Sequence, residues 1–227
     1  MTTETFEARL GASASVDFCL PCQVFWFDAY ESLQLSPGAT LRLFTIIGEQ
    51  AAKGRPVLQQ GSKCPRCRSH LLLTHDIQRN TRFEYWRCPH GHGRLITFYD
   101  FLREKDFIRP LSPQQIALLR QNIQSVSCAN CGAPVDLTKG STCAHCGTPL
   151  SMLDMQQAER LIARLRQADR PDRPPVPLDE TERLNRPDAD AFAWLRRDGR
   201  WPADGASTSL VGEALNALLR RLKIPSG

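Results

Sequence analysis

Apolar residues fall along this chain in short groups whose spacing changes repeatedly, and each spacing predicts a different element. Over residues 23–53 the intervals predict two helical pieces. Asp28 followed by Glu31 is a capping pattern that opens a short turn at AYESLQL. In SPGATLRLFTIIGEQAAKG, Ser36 is the cap, Pro37 takes the first helical position and Gly54 is the stop. Leu43, Phe44, Ile47 and Ala51 would then share one face, although Leu41, Leu43, Phe44 and Ile46 also fit a strand. Over residues 64–99 the stretches HLLLTHDIQ, FEYWRC and GRLITFYDF are rich in aromatic and β-branched residues and predict strands, with a turn at RNTR. Ser112, Pro113 and Gln115 form a capping box for a helix over 112–125, striped by Ile116, Leu119 and Ile123. A further helix is predicted over 154–167, with Met155, Ile162 and Leu165 on its buried side.

From Asp169 to about Asp190 the text turns to proline and charge, DRPDRPPVPLDETERLNRPDAD, which reads as an extended linker. Beyond it, Val211, Leu215, Leu218, Leu219 and Leu222 form an apolar stripe with Arg220, Arg221 and Lys223 beside it. Such a helix needs a place to dock: its own domain, the groove of a partner protein or a membrane surface. The expected division is 1–60, 61–110, a connecting helix at 111–127, 128–150, a helix at 151–168, a linker at 169–206 and an amphipathic helix at 207–227. The fold class is α+β, small antiparallel units joined by helices.

Length bounds this picture, since 227 residues make one large domain or two to three small ones. A 7% aromatic content is lean for a single large core. The cysteines change the picture most. Eight of the nine form pairs with two residues between them, 19/22, 64/67, 128/131 and 143/146, and Cys88 stands apart. Cysteines at this spacing are poor disulfide partners and good metal ligands. The opening MTTETFEARL has no basic start and no apolar run of a signal sequence, and no stretch is long enough to span a membrane. A reducing, cytoplasmic setting is therefore expected, where thiol clusters mean metal or catalysis.

In CANCGAPVDLTKGSTCAHCGTPL, Cys128, Cys131, Cys143 and Cys146 supply four soft donors from two tight turns, the set a tetrahedral zinc requires. Gly132 and Gly147 follow the pairs where the backbone needs positive φ. This stretch resembles bacterial zinc ribbons, with zinc, or iron in the same tetrathiolate cage, as its implied metal. A second site begins at Cys64 and Cys67 and continues with Cys88. Its fourth ligand is His92, which leaves room for a turn, or His90. It too looks like a zinc ribbon, of the three-cysteine, one-histidine kind, departing from the pattern in having Arg68 where glycine is usual. CLPCQVFWFDAYESL resembles half of a transcription-factor-IIB-type zinc finger, with Trp26, Phe27, Asp28 and Glu31 in the matching places and Gln23 for the usual glycine. Residues 1–18 hold no cysteine to complete it. Cys19 and Cys22 are therefore metal ligands completed by His70, His75, His90, by Cys64 and Cys67 or by a second chain in a homodimer, an unliganded relic, or a redox pair. Two zinc ions are expected, three if this pair is filled.

The formal charge of +5 is concentrated, because residues 61–110 carry ten cations against five acids. With two zinc ions bound and the thiols ionised it falls to about +2. Both complete sites have four protein ligands, which marks them as structural, and the sequence shows no Ser/His/Asp set, phosphate-cradling loop or His-Glu-x-x-His helix. The first expectation is a non-catalytic scaffold that meets a protein partner, with the 207–227 helix as one docking element. The second is nucleic-acid binding through Lys63, Arg66, Arg68, Arg79, Arg82, Arg87 and Arg94, interleaved with Phe83, Tyr85 and Trp86. The third is thiol redox chemistry at Cys19 and Cys22.

Overall fold

Ala14, Val16 and Phe18 alternate with Ser13, Ser15 and Asp17, and this period of two builds a strand in a region for which the spacing analysis predicts no element. The computed structural model describes residues 1–8, 12–50, 62–78, 81–169, 192–196, 199–202 and 209–221. Strands β1 (Thr2–Glu7), β2 (Ser13–Cys19) and β3 (Val24–Asp28) form a meander. Strands β4 (Leu72–Gln78), β5 (Thr81–Arg87) and β6 (Gly93–Thr97) form a second. Pairing of β3 with β6 joins them into one six-stranded antiparallel sheet, ordered β1-β2-β3-β6-β5-β4. The sheet thus takes strands from both the expected 1–60 and 61–110 segments.

The helical reading of 23–53 is corrected at its start. Residues 24–28 are a strand buried on both faces, so its apolar positions are continuous and carry no strand period. The helix α1 (Glu31–Gln34) has Tyr30 as its cap, in the left-handed region. Asp28 does not cap it; its own amide donates to the Glu31 carboxylate at 2.8 Å. The helix α2 (Pro37–Gln50) starts as expected, with the Ser36 hydroxyl accepting from the Ala39 amide at 3.0 Å. Ala51 and Gly54 lie outside the described residues.

A second correction falls at 98–101, where FYDF opens α3 (Phe98–Glu104) instead of extending β6. Thr97 is the cause: its hydroxyl accepts from the Asp100 amide and donates to the Asp100 carboxylate. Burial pushes that carboxyl up to about 6, against the hydrogen bond from Thr97 and the charge of Arg103. Then come β7 (Ile108–Pro110) and α4 (Pro113–Asn122), whose Ser112–Gln115 capping box is present as read from the sequence. Short strands β8 (Ser125–Ser127) and β9 (Pro134–Asp136) pair with each other, and β10 (Ser151–Leu153) pairs with β7. Helices α5 (Met155–Asp169) and α6 (Leu210–Arg221) complete the described elements.

Residues 170–191 and 203–206 of the expected 169–206 linker lie outside the described residues; within it Phe192 and Leu195 are buried beside the 128–150 unit. The apolar pair in AFAWL, set among charges, is what buries that part. Helix α6 lies against α2, α5 and β10, with Val211, Leu215, Leu218 and Leu219 inside the main core. Its apolar face is thus covered by the chain itself; Leu222 and Lys223 are outside the described residues.

Leu215 is fully buried. Leu215→Ala should cost about 2–5 kcal/mol, whereas Arg220→Ala, on the exposed side of α6, should stay within about 0.5 kcal/mol. Urea unfolding of the metal-loaded chain measures both. Near-zero cost for Leu215→Ala would mean that α6 does not pack on the core in solution.

Candidate metal centres

Three of the Cys-x-x-Cys turns share one backbone design. The amides of Cys64, Cys128 and Cys143 donate to the carbonyls of Ser69, Ala133 and Thr148 at 2.9, 2.8 and 2.9 Å. The amides of Arg68, Gly132 and Gly147 return to the first-cysteine carbonyl at 2.8, 2.8 and 2.9 Å. The returning residue has positive φ each time: 61° at Arg68, 76° at Gly132 and 72° at Gly147. Arg68 therefore adopts the glycine conformation despite its side chain, and the knuckle survives the departure from the ribbon pattern. Free amides also meet sulfur, as where the Arg66 amide lies 3.4 Å from Cys64 Sγ.

The β5–β6 turn supplies the other half of the first site. The Cys88 amide donates to the Gly93 carbonyl at 2.9 Å, and Gly91, at φ 77°, returns to Cys88 at 3.1 Å. This brings Cys64, Cys67, Cys88 and His92 together, with one donor atom from each, all within 4.8 Å of one another. Cys128, Cys131, Cys143 and Cys146 form a second such group. His90 stands outside the first group, its Nδ1 3.3 Å from Ser69 Oγ and 3.6 Å from Cys67 Sγ.

The donor spacings fit a tetrahedral ion. With bonds of about 2.3 Å to sulfur and about 2.0 Å to nitrogen, tetrahedral edges are about 3.8 Å for S–S and about 3.5 Å for S–N. Cys67–Cys88, Cys128–Cys146 and Cys131–Cys143 each measure 3.6 Å, and His92 Nδ1 lies 3.5 Å from Cys88 Sγ and 3.9 Å from Cys64 Sγ. These are far longer than a disulfide, and the chain's cysteines are free thiols. Both groups could hold a metal ion.

Protonation in the metal-free cages is uneven. Hydrogen bonding to Cys128 holds the Cys146 thiol down to about 4, while that same bond and burial push Cys128 up, and burial pushes Cys131 up to about 11. In the first site, the Ser69 hydroxyl and amide hold Cys67 down to about 5, and burial raises Cys64. Burial and the neighbouring thiols thus oppose ionisation of the whole set, an opposition that a divalent cation would overcome by holding all of them ionised.

The first knuckle is fastened to the sheet by charge. Arg66 donates from Nε and Nη2 to the two Asp28 oxygens at 3.0 and 2.7 Å, and Nη2 reaches Asp17 at 3.3 Å. Trp26 Nε1 adds a bond to Asp28 at 2.7 Å. Burial raises the Asp28 carboxyl, but the hydrogen bonds from Arg66 and Trp26 outweigh it and hold the group below the usual range.

The basic cluster is only partly a surface. Arg94 bonds to Glu104 at 2.8 Å and lies over the rings of Tyr85 and Phe27 at 5.2 and 5.8 Å. Phe83 is in the core. Lys63, Arg68, Arg82 and Arg87 are exposed, and Arg79 lies outside the described residues. Cys19 and Cys22 belong to neither donor group; they pack beside Val24 and Trp26 on the sheet face that meets the first knuckle. The role of Arg66 and Arg94 as fasteners had no signal in the sequence beyond their charge. No described helix is long and apolar enough to cross a membrane.

No family model, curated protein or solved structure matches the chain.

Cys143→Ser and His92→Ala should each lower the bound metal by one equivalent per chain, measured by elemental mass spectrometry on protein purified without chelator. His90→Ala should keep full occupancy and weaken binding by at most about 10–100-fold, the range of an outer-shell change. Loss of a full equivalent on His90→Ala, with His92→Ala still loaded, would reverse the assignment. Removing all metal with a strong chelator should unfold the segment around residues 125–150, seen as loss of amide protection there.

Proposed function

We propose that this chain is a zinc-binding, non-catalytic scaffold or adaptor that acts through contact with another protein. The observation that carries the reading is the pair of complete cages. Four protein donors at tetrahedral spacing leave no coordination position for water or substrate, the arrangement of structural and not catalytic zinc.

Strand β4 supports the protein contact. It is the last strand of the sheet, so one row of its backbone donors and acceptors faces outward. Edge strands are usually blunted by lysine, proline or a bulge; LLTHDIQ has no lysine or proline, and Leu72, Leu73 and Ile77 are 47, 50 and 60% exposed. An extended segment of a partner could add there as a further strand, with main-chain hydrogen bonds giving affinity and the apolar side chains selectivity. The nucleic-acid reading keeps Lys63, Arg68, Arg82 and Arg87, but Arg66 and Arg94 are engaged internally and Phe83 is no stacking platform.

A peptide selected from an extended-peptide library against the metal-loaded chain should slow hydrogen exchange across Leu72–Gln78. It should lose at least about tenfold affinity, roughly 1.4 kcal/mol, to Leu73→Lys combined with Ile77→Lys. The same chain should bind single-stranded oligonucleotides weakly at 50 and 200 mM salt. Tight oligonucleotide binding with a salt slope near −3, about 0.7 for each of four cations, and no protection at β4 would replace the adaptor with the nucleic-acid reading.

A further inference from the structure

Three of the four Cys-x-x-Cys pairs face another pair or the Cys88–His92 turn. The fourth, Cys19–Cys22, has much of the same backbone design. The residue after its second cysteine, Gln23, has φ 53°, beside 61°, 76° and 72° at Arg68, Gly132 and Gly147. The first cysteine again pairs with the residue five places on, Cys19 opposite Val24. The closing bond differs by one place, since the Gln23 amide donates to the Leu20 carbonyl at 3.2 Å. A glutamine in the left-handed region is uncommon, and such conformations persist where the surrounding structure fixes them, often at binding sites. Both cysteines are half-buried at the end of a hairpin.

This geometry separates metal ligation from redox chemistry. A reactive Cys-x-x-Cys commonly gains its thiolate at a helix N-terminus. Here Cys19 ends β2, and the turn leads into β3, so no helix begins at the pair. A zinc knuckle, by contrast, is a turn of this kind between two short strands, as at Cys128–Cys131 between β8 and β9.

A tetrathiolate cage needs two knuckles. Every cysteine and histidine of the chain lies among the described residues, and no group of three or more donors there includes Cys19 or Cys22. Cys128–Cys131 and Cys143–Cys146 show how this chain builds such a cage: two knuckles of one design face each other with sulfurs 3.6 Å apart. A rotation of one chain onto a second copy would repeat that arrangement with identical halves, and a two-fold interface is the commonest closed contact between like chains. We propose that Cys19 and Cys22 form half of a third, four-thiolate metal site, completed by the same pair from a second copy of this chain. The inference rests on the reading of the two intrachain groups as metal cages. Filling the site converts four thiols to thiolates, releases their protons to solvent and forms four metal–sulfur bonds, with no change of oxidation state.

The test is native mass spectrometry with elemental analysis on the full chain, purified under reducing conditions without added chelator. The expected species is a dimer carrying five metal ions. The double variant Cys19→Ser with Cys22→Ser should be a monomer with two, and with an unchanged far-ultraviolet dichroism spectrum. Cobalt loading gives a second readout, in which the sulfur-to-metal absorption of the unaltered chain should exceed that of the double variant. The proposal is overturned by a dimer that persists in the double variant, or by a monomer that holds three ions. It is equally overturned by a two-ion monomer whose Cys19 and Cys22 are alkylated in the native state or joined in a disulfide, seen as a mass lower by two hydrogens. Fewer than two ions per chain in the double variant would instead undo the intrachain cages, so the two failures are distinct.

Discussion

The pairing of β3 with β6, from Val24 opposite Thr97 to Asp28 opposite Gly93, decides what each face of the sheet must do. It sends Phe25, Phe27 and Ile96 toward the helices, where Phe25 meets Phe98 at 4.4 Å and Phe101 at 5.3 Å. It sends Val24, Trp26 and Leu95 to the other face, where Cys64, Leu71 and Cys88 cover them. A slip of one residue would exchange these sets and put Trp26 into the helical core. Gly93 guards the register: a Cβ there would meet the Phe27 carbonyl oxygen at 2.2 Å, so the strand entering from His92 must begin with glycine.

A metal ion held at each donor group would stabilise the two smaller clusters of the structure. Around the first knuckle the buried apolar group is small, Val24, Trp26, Leu71 and Leu95 with the cysteines themselves. Such a cluster cannot offset the ordering entropy of the loops that cover it without further energy. The Arg66 fork to Asp28 supplies part of that energy, and a metal held at Cys64, Cys67, Cys88 and His92 would add to it at the same place. The second cage has more apolar cover, from Val126, Val135, Leu137 and Leu150 to Phe192 and Leu195. The late residues Phe192 and Leu195 therefore complete the core around the second cage.

Legibility followed the locality of the signal. Ligand pairs two residues apart, the Ser112 capping box and the α6 stripe are local patterns, and the residues could be read directly. Strand β3 was illegible because burial on both faces erases alternation, and its partners β2 and β6 lie on either side of it in space but far apart in sequence. The turn from β6 into α3 did have a local signal, Thr97 followed by Asp100, masked by the aromatic residues between them. Ala14, Val16 and Phe18 alternate plainly, but a single half-buried strand without a visible partner is a weak pattern.

Charge shows most clearly how the fold alters a compositional reading. In sequence, residues 61–110 look like a cationic surface; in the fold two of their arginines, Arg66 and Arg94, sit at joints. Arg66 ties the first knuckle to β3, and Arg94 ties β6 to α1 and α3 through Ser32 and Glu104. Arg94 and Glu104 are nearly buried, so removing either would leave the other charge with poor solvation, a larger loss than the pair's own net contribution. Thiolates holding a metal at the first donor group would subtract further positive charge on that side of the sheet. What is left outward on that hairpin is the β4 edge, where Leu72, Leu73 and Ile77 stand exposed beside His75 and Asp76 and among scattered exposed cations.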